Sequence, residues 1–317
     1  RSNDTDYMYR AHSAFAHLTG WGTSTVPDSV LVIDARGSNS KSILFLRETA
    51  GHDSDEFFAN AAIGEFWVGK RPSLAQVSAL LNIETQSLTT YKAFLKTLPK
   101  DKVRNHIKDA ELGQFVSELR FIKDAYEISE MRKAVAASVK GFESAARSLK
   151  NAVGHPRGER IVETAFYSQA RIEGNGLGYE TIAASGPHAC TLHWITNDGP
   201  VNKNDLILLD AGVEVDSLYT ADVTRTLPVS GKFTDIQRNA GDGRVTATDG
   251  ERFYVLERDA VAAEDAAALG AAERSHESVS VSDRDALVRL EVVRRAAAVE
   301  ALHVLGDVGV AVAGFGE

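Results

Sequence analysis

Apolar and polar positions at the start of the chain alternate between strand-like runs and helix-like stripes. Ser29-Val30-Leu31-Val32-Ile33 and Ser42-Ile43-Leu44-Phe45-Leu46 are short apolar runs bounded by polar residues and glycine, and they predict buried strands. Pro72-Ser73 then opens a helix. Ser73 caps it, Gln76 stands three residues later as in a capping box, and Leu74, Val77, Leu80 and Leu81 form the apolar stripe. Leu98 to Lys102 is a polar break. This pattern predicts a small α/β domain over residues 1–118.

A second unit is expected over 119–238. Asp124 and Glu127 repeat the cap pattern, and Ile128, Met131, Val135 and Phe142 fall on one face of a long helix. Gly154-His155-Pro156 breaks it, with His155 a loop residue. A further helix follows, with Ile161, Ala165 and Ile172 inward and Gly174 as its stop. Residues 181–227 turn strand-like at Thr181–Ala184, Thr191–Trp194, Leu206–Leu209 and Ala221–Thr226. Gly174, Gly176 and Gly178 follow a helix rather than joining a strand to a helix start. They therefore read as a helix stop and turn, not a nucleotide loop.

The last stretch changes character. All 13 lysines lie in the first 238 residues, while the final 79 hold none and 17 of them are alanine. One reading is an alanine-rich helical region. The other, preferred here, is a divergent tail over 239–317, mostly helical or poorly packed, from a different reading frame or an altered gene end.

Composition narrows the function. Of 317 residues, 35 are Lys or Arg and 44 Asp or Glu, a net charge of −9. Such a chain lacks the cationic surplus that grips phosphate backbones, so no nucleic-acid partner is expected. The one cysteine, Cys190, precludes an internal disulfide and a cysteine-rich zinc site, and reads as a small core residue. No apolar run approaches the roughly 20 residues that span a bilayer, so no membrane partner is expected either. The chain opens Arg1-Ser2-Asn3, neither a start methionine nor a signal peptide. The expectation is a cytoplasmic protein whose native N-terminus lies upstream.

The most informative stretch is Leu206 to Thr226. Four apolar residues end in Asp210-Ala211-Gly212, polar residues follow around Asp216-Ser217, and a second strand carries Asp222. A turn centred on Asp216 places Asp210 opposite Asp222, with Cβ atoms roughly 4.5–5.5 Å apart. Carboxylates that close repel unless one takes a proton or both share a cation. Hard oxygen donors favour Mg or Mn, and two such carboxylates can bridge a metal pair that activates water. The plain alternative is that one or both aspartates face solvent. His193 and Trp67 likewise have plain readings, as a histidine satisfied by backbone and as an ordinary aromatic.

These residues fall within motifs of a known family. Tyr179 to Trp194, Asn197-Asp198-Gly199, Leu208-Leu209-Asp210-Ala211-Gly212 and Thr220 to Thr226 stand in the order and spacing of Xaa-Pro aminopeptidase (aminopeptidase P), a pita-bread metallopeptidase. Upstream, Lys123–Ile128 with Met131-Arg132 resembles the opening of the pita-bread domain. Tyr9-Arg10, Leu18–Trp21 and Glu65–Arg71 resemble the N-terminal domain. The resemblance covers residues 1 to about 238. It implies an N-terminal α/β domain followed by an α+β pita-bread (creatinase/aminopeptidase-like) catalytic domain. It also implies removal of an N-terminal residue from peptides with proline in second position. Two divalent ions, usually manganese, would be held by two Asp, one His and two Glu, and the intact enzyme would be a homo-oligomer. Asp210 and Asp222 match the two Asp ligands. His193 matches a histidine that assists the reaction near the substrate, and Trp67 an N-domain tryptophan that reaches toward a neighbouring subunit's site in tetrameric members.

The second half of that catalytic domain has no counterpart here, so the expected fold is incomplete. His276 and His303 are the histidines after Asp222, and His303, Glu291 and Glu300 read as helix-face residues rather than the missing His and two Glu ligands. The expectation is therefore a Xaa-Pro aminopeptidase of impaired activity. The alternatives are a non-catalytic peptide-binding pita-bread module and a Xaa-Pro dipeptidase.

Overall fold

The structure is a computed structural model that describes residues 9–36, 40–235 and 237, with the backbone of 245–248, 253–256 and 309–313. The chain divides into two compact units. The first comprises residues 1–130, 216–218 and 283–317, and the second 131–215 and 219–282.

In the first unit the elements are α1 (Ser13–Thr19), β1 (Val30–Asp34), β2 (Lys41–Leu46), α2 (Glu56–Ala59), α3 (Glu65–Val68) and α4 (Leu74–Leu81). After these come β3 (Glu84–Ser87), α5 (Leu88–Lys96), a 3₁₀ turn over Lys100–Lys102, β4 (Val103–Asn105) and α6 (Ala110–Leu119). The two apolar runs are strands because both of their faces are covered. Leu31, Ile33, Leu44 and Leu46 pack with Phe15, Trp21, Val77 and Leu112 of the layer holding α1, α4 and α6. Val30, Val32, Ile43 and Phe45 pack with Leu88, Tyr91 and Phe94 of α5. A strand buried on both sides shows no polar alternation.

The predicted capping box is present: Ser73 Oγ accepts from Gln76 N–H, and Gln76 Oε1 accepts from Ser73 N–H. Val77 and Leu81 of the stripe are buried, whereas Leu80 is exposed.

The second unit is built on α7 (Ala125–Ala152), whose first turn lies in the first unit, and α8 (Gly158–Glu173). After them come β5 (Gly176–Leu177), β6 (Ile182–Ser185), a 3₁₀ turn (Gly186–Cys190), β7 (Leu206–Ala211), β8 (Val213–Glu214) and β9 (Val223–Pro228). Asp124 and Glu127 cap α7 reciprocally at 2.9 and 2.8 Å. The buried face of α7 differs in part from the expected one, although Phe142 packs against the core as expected. Ile128, Met131 and Val135 are exposed, and Ala134, Ala137, Ser138, Ala145, Leu149 and Ala152 are buried. Close approach is the reason: a Cβ on Gly141 would lie 2.6 Å from the Phe166 ring, so small residues let α8 seat against α7. On α8 the inward stripe is Val162, Phe166 and Ala170, with Ile161 half-buried and Ile172 exposed.

β6, β7 and β9 form an antiparallel sheet in that order, and β5 pairs with β8. Gly174 ends α8 as expected, and no Cβ fits there because Glu214 O would be 2.6 Å away. In β7, Ile207, Leu209 and Ala211 join the core with α7 and α8, while Leu206, Leu208 and Asp210 take the other face. Two expectations fail in this region. Thr191–Trp194 is loop rather than strand, and Cys190 is exposed rather than core.

In 239–317 the described segments are strands, not helices. β10 (Val245–Thr248) pairs with β11 (Phe253–Leu256), and β12 (Gly309–Ala313) lies between β1 and β4 in the five-stranded sheet β3-β2-β1-β12-β4. His276, Glu291, Glu300 and His303 lie outside the described residues. Among the described residues no helix is long and apolar enough to cross a membrane.

Candidate metal centre

The hairpin register places the two aspartates. β7 pairs with β9 so that Asp210 faces Thr224 and Ala211 faces Val223, and the bridge Glu214–Thr220 continues the same register. The turn therefore centres on Ser217, one residue beyond the expected Asp216. Moving the centre by one residue moves the register by two, which preserves the face. Asp210 and Asp222 become diagonal neighbours rather than a directly opposed pair.

Tyr179 joins them. Its hydroxyl lies 2.5 Å from Asp210 Oδ1 and 2.9 Å from Asp222 Oδ1. Thr224 Oγ1 donates to Asp210 Oδ2 at 2.7 Å. Gly212 permits this convergence, since a Cβ there would fall 1.6 Å from Ala221 O. Burial, and then hydrogen bonding to the two carboxylates, push the Tyr179 phenol far above its ordinary range, so it stays protonated.

Tyr179 has one phenolic hydrogen to share between the two carboxylates. The carboxylate oxygens gathered at the phenol are hard donors. This geometry fits a hard divalent ion held by carboxylate oxygens. The fit is partial: among the described residues no group of three or more His, Cys, Asp or Glu side chains comes together to hold a metal.

His193 is exposed in the loop after the Gly186–Cys190 turn, and its carbonyl accepts from Ile195 N–H at 3.0 Å. That loop doubles back along β6. The Asn197 side chain accepts from Ala183 N–H at 2.9 Å and donates to Thr181 O at 2.7 Å, closing the outer edge of the strand. Trp67 is 57% exposed on α3, where its indole N–H donates to Phe58 O at 2.8 Å and its ring meets Phe66 edge-on. The structure brings Asp210 and Asp222 together and places His193 and Trp67 on surfaces of their respective units.

Sequence reasoning assigned no site role to Tyr179, although it opens the motif that carries the resemblance. It also passed over Glu159. That carboxylate is fully buried at the start of α8, accepts from Ser185, Trp194 and Gly199, and pairs with His188 Nδ1. Its partners lie 26 to 40 residues away, so no local spacing could reveal them.

An antiparallel sheet backed by two helices, with a carboxylate pair on the face away from them, is the frame of a pita-bread metallohydrolase. Comparison with known proteins makes this specific. Residues 1–107 match the aminopeptidase P N-terminal domain, and residues 129–246 match metallopeptidase family M24. Xaa-Pro aminopeptidase 1 of Streptomyces coelicolor is 41% identical over 259 residues, covering 76% of this chain and 51% of that protein. Proline aminopeptidase P II from Yersinia pestis superposes with a TM-score of 0.62 at 25% identity, covering 77% of this chain and 60% of that one. Zinc-substituted aminopeptidase P of E. coli, in complex with product, gives the same TM-score and identity over 77% and 59% of the two chains. The chain belongs to the Xaa-Pro aminopeptidase family, and it spans about half the length of the curated relatives it matches.

Proposed function

We propose that this chain carries part of the catalytic centre of a metal-dependent Xaa-Pro aminopeptidase, which hydrolyses the bond after the first residue of peptides with proline in second position. The observation that carries the reading is the convergence of Asp210 and Asp222 on the Tyr179 hydroxyl, in a chain of this family. Asp210 and Asp222 would hold divalent cation, with manganese the proposed ion. A cation held by two carboxylates supplies Lewis-acid polarisation of a carbonyl and eases deprotonation of water.

The remaining roles belong to the chain's own residues. Tyr179 and Thr224 orient the Asp210 carboxylate by hydrogen bonds to its two oxygens. His193, exposed in its loop, is the proposed partner of the scissile carbonyl, donating a hydrogen bond as negative charge develops on oxygen. Trp67 is the proposed substrate contact made to the site of a neighbouring subunit. The proposed domain limits are 1–118 for the N-terminal domain and 119–238 for the catalytic part, with 239–317 as the tail. Two carboxylates alone hold a divalent ion weakly, so the chain by itself is proposed to have low activity.

The test is release of the first residue from a Xaa-Pro-Xaa tripeptide with excess manganese, with Asp222→Ala as control. Slow, metal-dependent release that is lost in the control supports the reading. Peptide binding without cleavage would replace it with a binding module, and release undiminished in the control would remove Asp222 from the site.

A further inference from the structure

Glu159 has 0% exposure, yet its carboxylate has four nitrogen partners. Oε1 meets Ser185 N–H at 2.7 Å and His188 Nδ1 at 2.9 Å, and Oε2 meets Trp194 Nε1–H at 3.0 Å and Gly199 N–H at 2.8 Å. The His188 tautomer with hydrogen on Nδ1 is the one that donates to a carboxylate oxygen. The His188 ring stacks on the Trp194 ring at 3.9 Å with 25° between planes. Glu159 N–H donates in turn to Gly199 O at 3.1 Å. Gly199 is where the ends of the loop close on the helix: a Cβ there would lie 2.5 Å from His188 Cε1 and 2.9 Å from Glu159 Oε2.

One carboxylate thus ties the start, middle and end of the segment 185–199. That segment carries His193. A loop of this length without strands is ordinarily among the first parts of a fold to open. Here its neighbour Trp194 is held twice, through its indole N–H and through its ring face, and the His193 carbonyl closes a turn across it to Ile195 N–H.

We propose that Glu159 is a positioning residue that fixes the loop carrying His193 and so sets where that imidazole is presented. The catalytic part of this inference rests on the reading of His193 above; the clamp itself does not.

Cys190 makes the clamp measurable. It is the sole cysteine, it is exposed, and it lies inside the segment. A nitroxide on Cys190 of the full chain reports the loop's motion by electron paramagnetic resonance. Glu159→Gln keeps the shape but offers one acceptor oxygen and an NH₂ group, so one side of the clamp loses its acceptor. The expected result is a several-fold faster label, with the cooperative thermal transition retained. Turnover of a Xaa-Pro-Xaa tripeptide should fall by about 10–100-fold in kcat, with KM little changed. Trp194→Phe keeps a stacked ring and removes one bond, so it should give intermediate mobility, and it carries the test if Glu159→Gln does not fold. Phe166→Ala, which weakens the same helix away from the clamp, should leave the label's motion as in the parent chain. Unchanged mobility in both clamp variants, or equal mobilisation by Phe166→Ala, would overturn the proposal. A parent chain that hydrolyses nothing would remove the catalytic reading of His193, and label mobility would still decide the clamp.

Discussion

His106 gives the first unit a pH dependence whose size can be worked out from the fold. It follows β4, is 6% exposed, and neither ring nitrogen has a hydrogen-bond partner among the described residues. The His12 ring stands edge-on to it with centroids 4.7 Å apart. Burial first, and then repulsion from His12 and Arg120, push its pKa down to about 4 from an ordinary 6.5. The folded state therefore prefers the neutral ring. Well above pH 6.5 both states are neutral and the stability is whole. As pH falls from 6.5 toward 4 the unfolded chain takes a proton that the folded chain refuses, and stability is lost. The loss amounts to about 3 kcal/mol by pH 4. Chemical denaturation of the parent chain and of His106→Leu, between pH 7.5 and 4.5, isolates this term, because the other titrating groups are common to both. The variant should lose less stability on acidification. Parallel profiles would refute the reasoning.

Three further substitutions test the packing and the turns. Phe166→Ala should cost about 3–5 kcal/mol in denaturant unfolding, because Phe166 is fully buried against Gly141 of α7. Ser73→Ala should cost about 1 kcal/mol by removing one arm of the α4 capping box. Gly212→Ala should cost about 2 kcal/mol or more, since the new Cβ would force Ala221 away. Manganese binding by Gly212→Ala should weaken in parallel.

Much of the fold was legible because its signals are local. The boxes at Ser73 and Asp124 depend on residues three apart, and both are present. The apolar runs at 30–33 and 43–46 mark strands whichever face they pack. Helix faces were harder to read. On α7 the bulky residues suggested the core, but close contact with α8 and the sheet selected alanine, serine and glycine, leaving Ile128, Met131 and Val135 exposed. Size mattered more than hydrophobicity there, and sequence periodicity does not weigh it. The site showed the same division. Asp210 and Asp222 were recognisable from the strand pattern and the family motif, and the one-residue error in the turn centre did not change their face. Thr191–Trp194 carries a strand-like composition, yet Glu159 holds it as loop through contacts that are long-range in sequence.

The central claim is that Asp210 and Asp222 form one cation site. Titration of the full chain with manganese, following free Mn(II) by electron paramagnetic resonance, tests it most directly. The parent chain should show weak saturable binding, with Kd on the order of 10⁻⁴ M or weaker for so few charged ligands. Asp210→Asn with Asp222→Asn should abolish it. Absence of saturable binding in the folded parent chain, or binding undiminished in the double variant, would contradict the account.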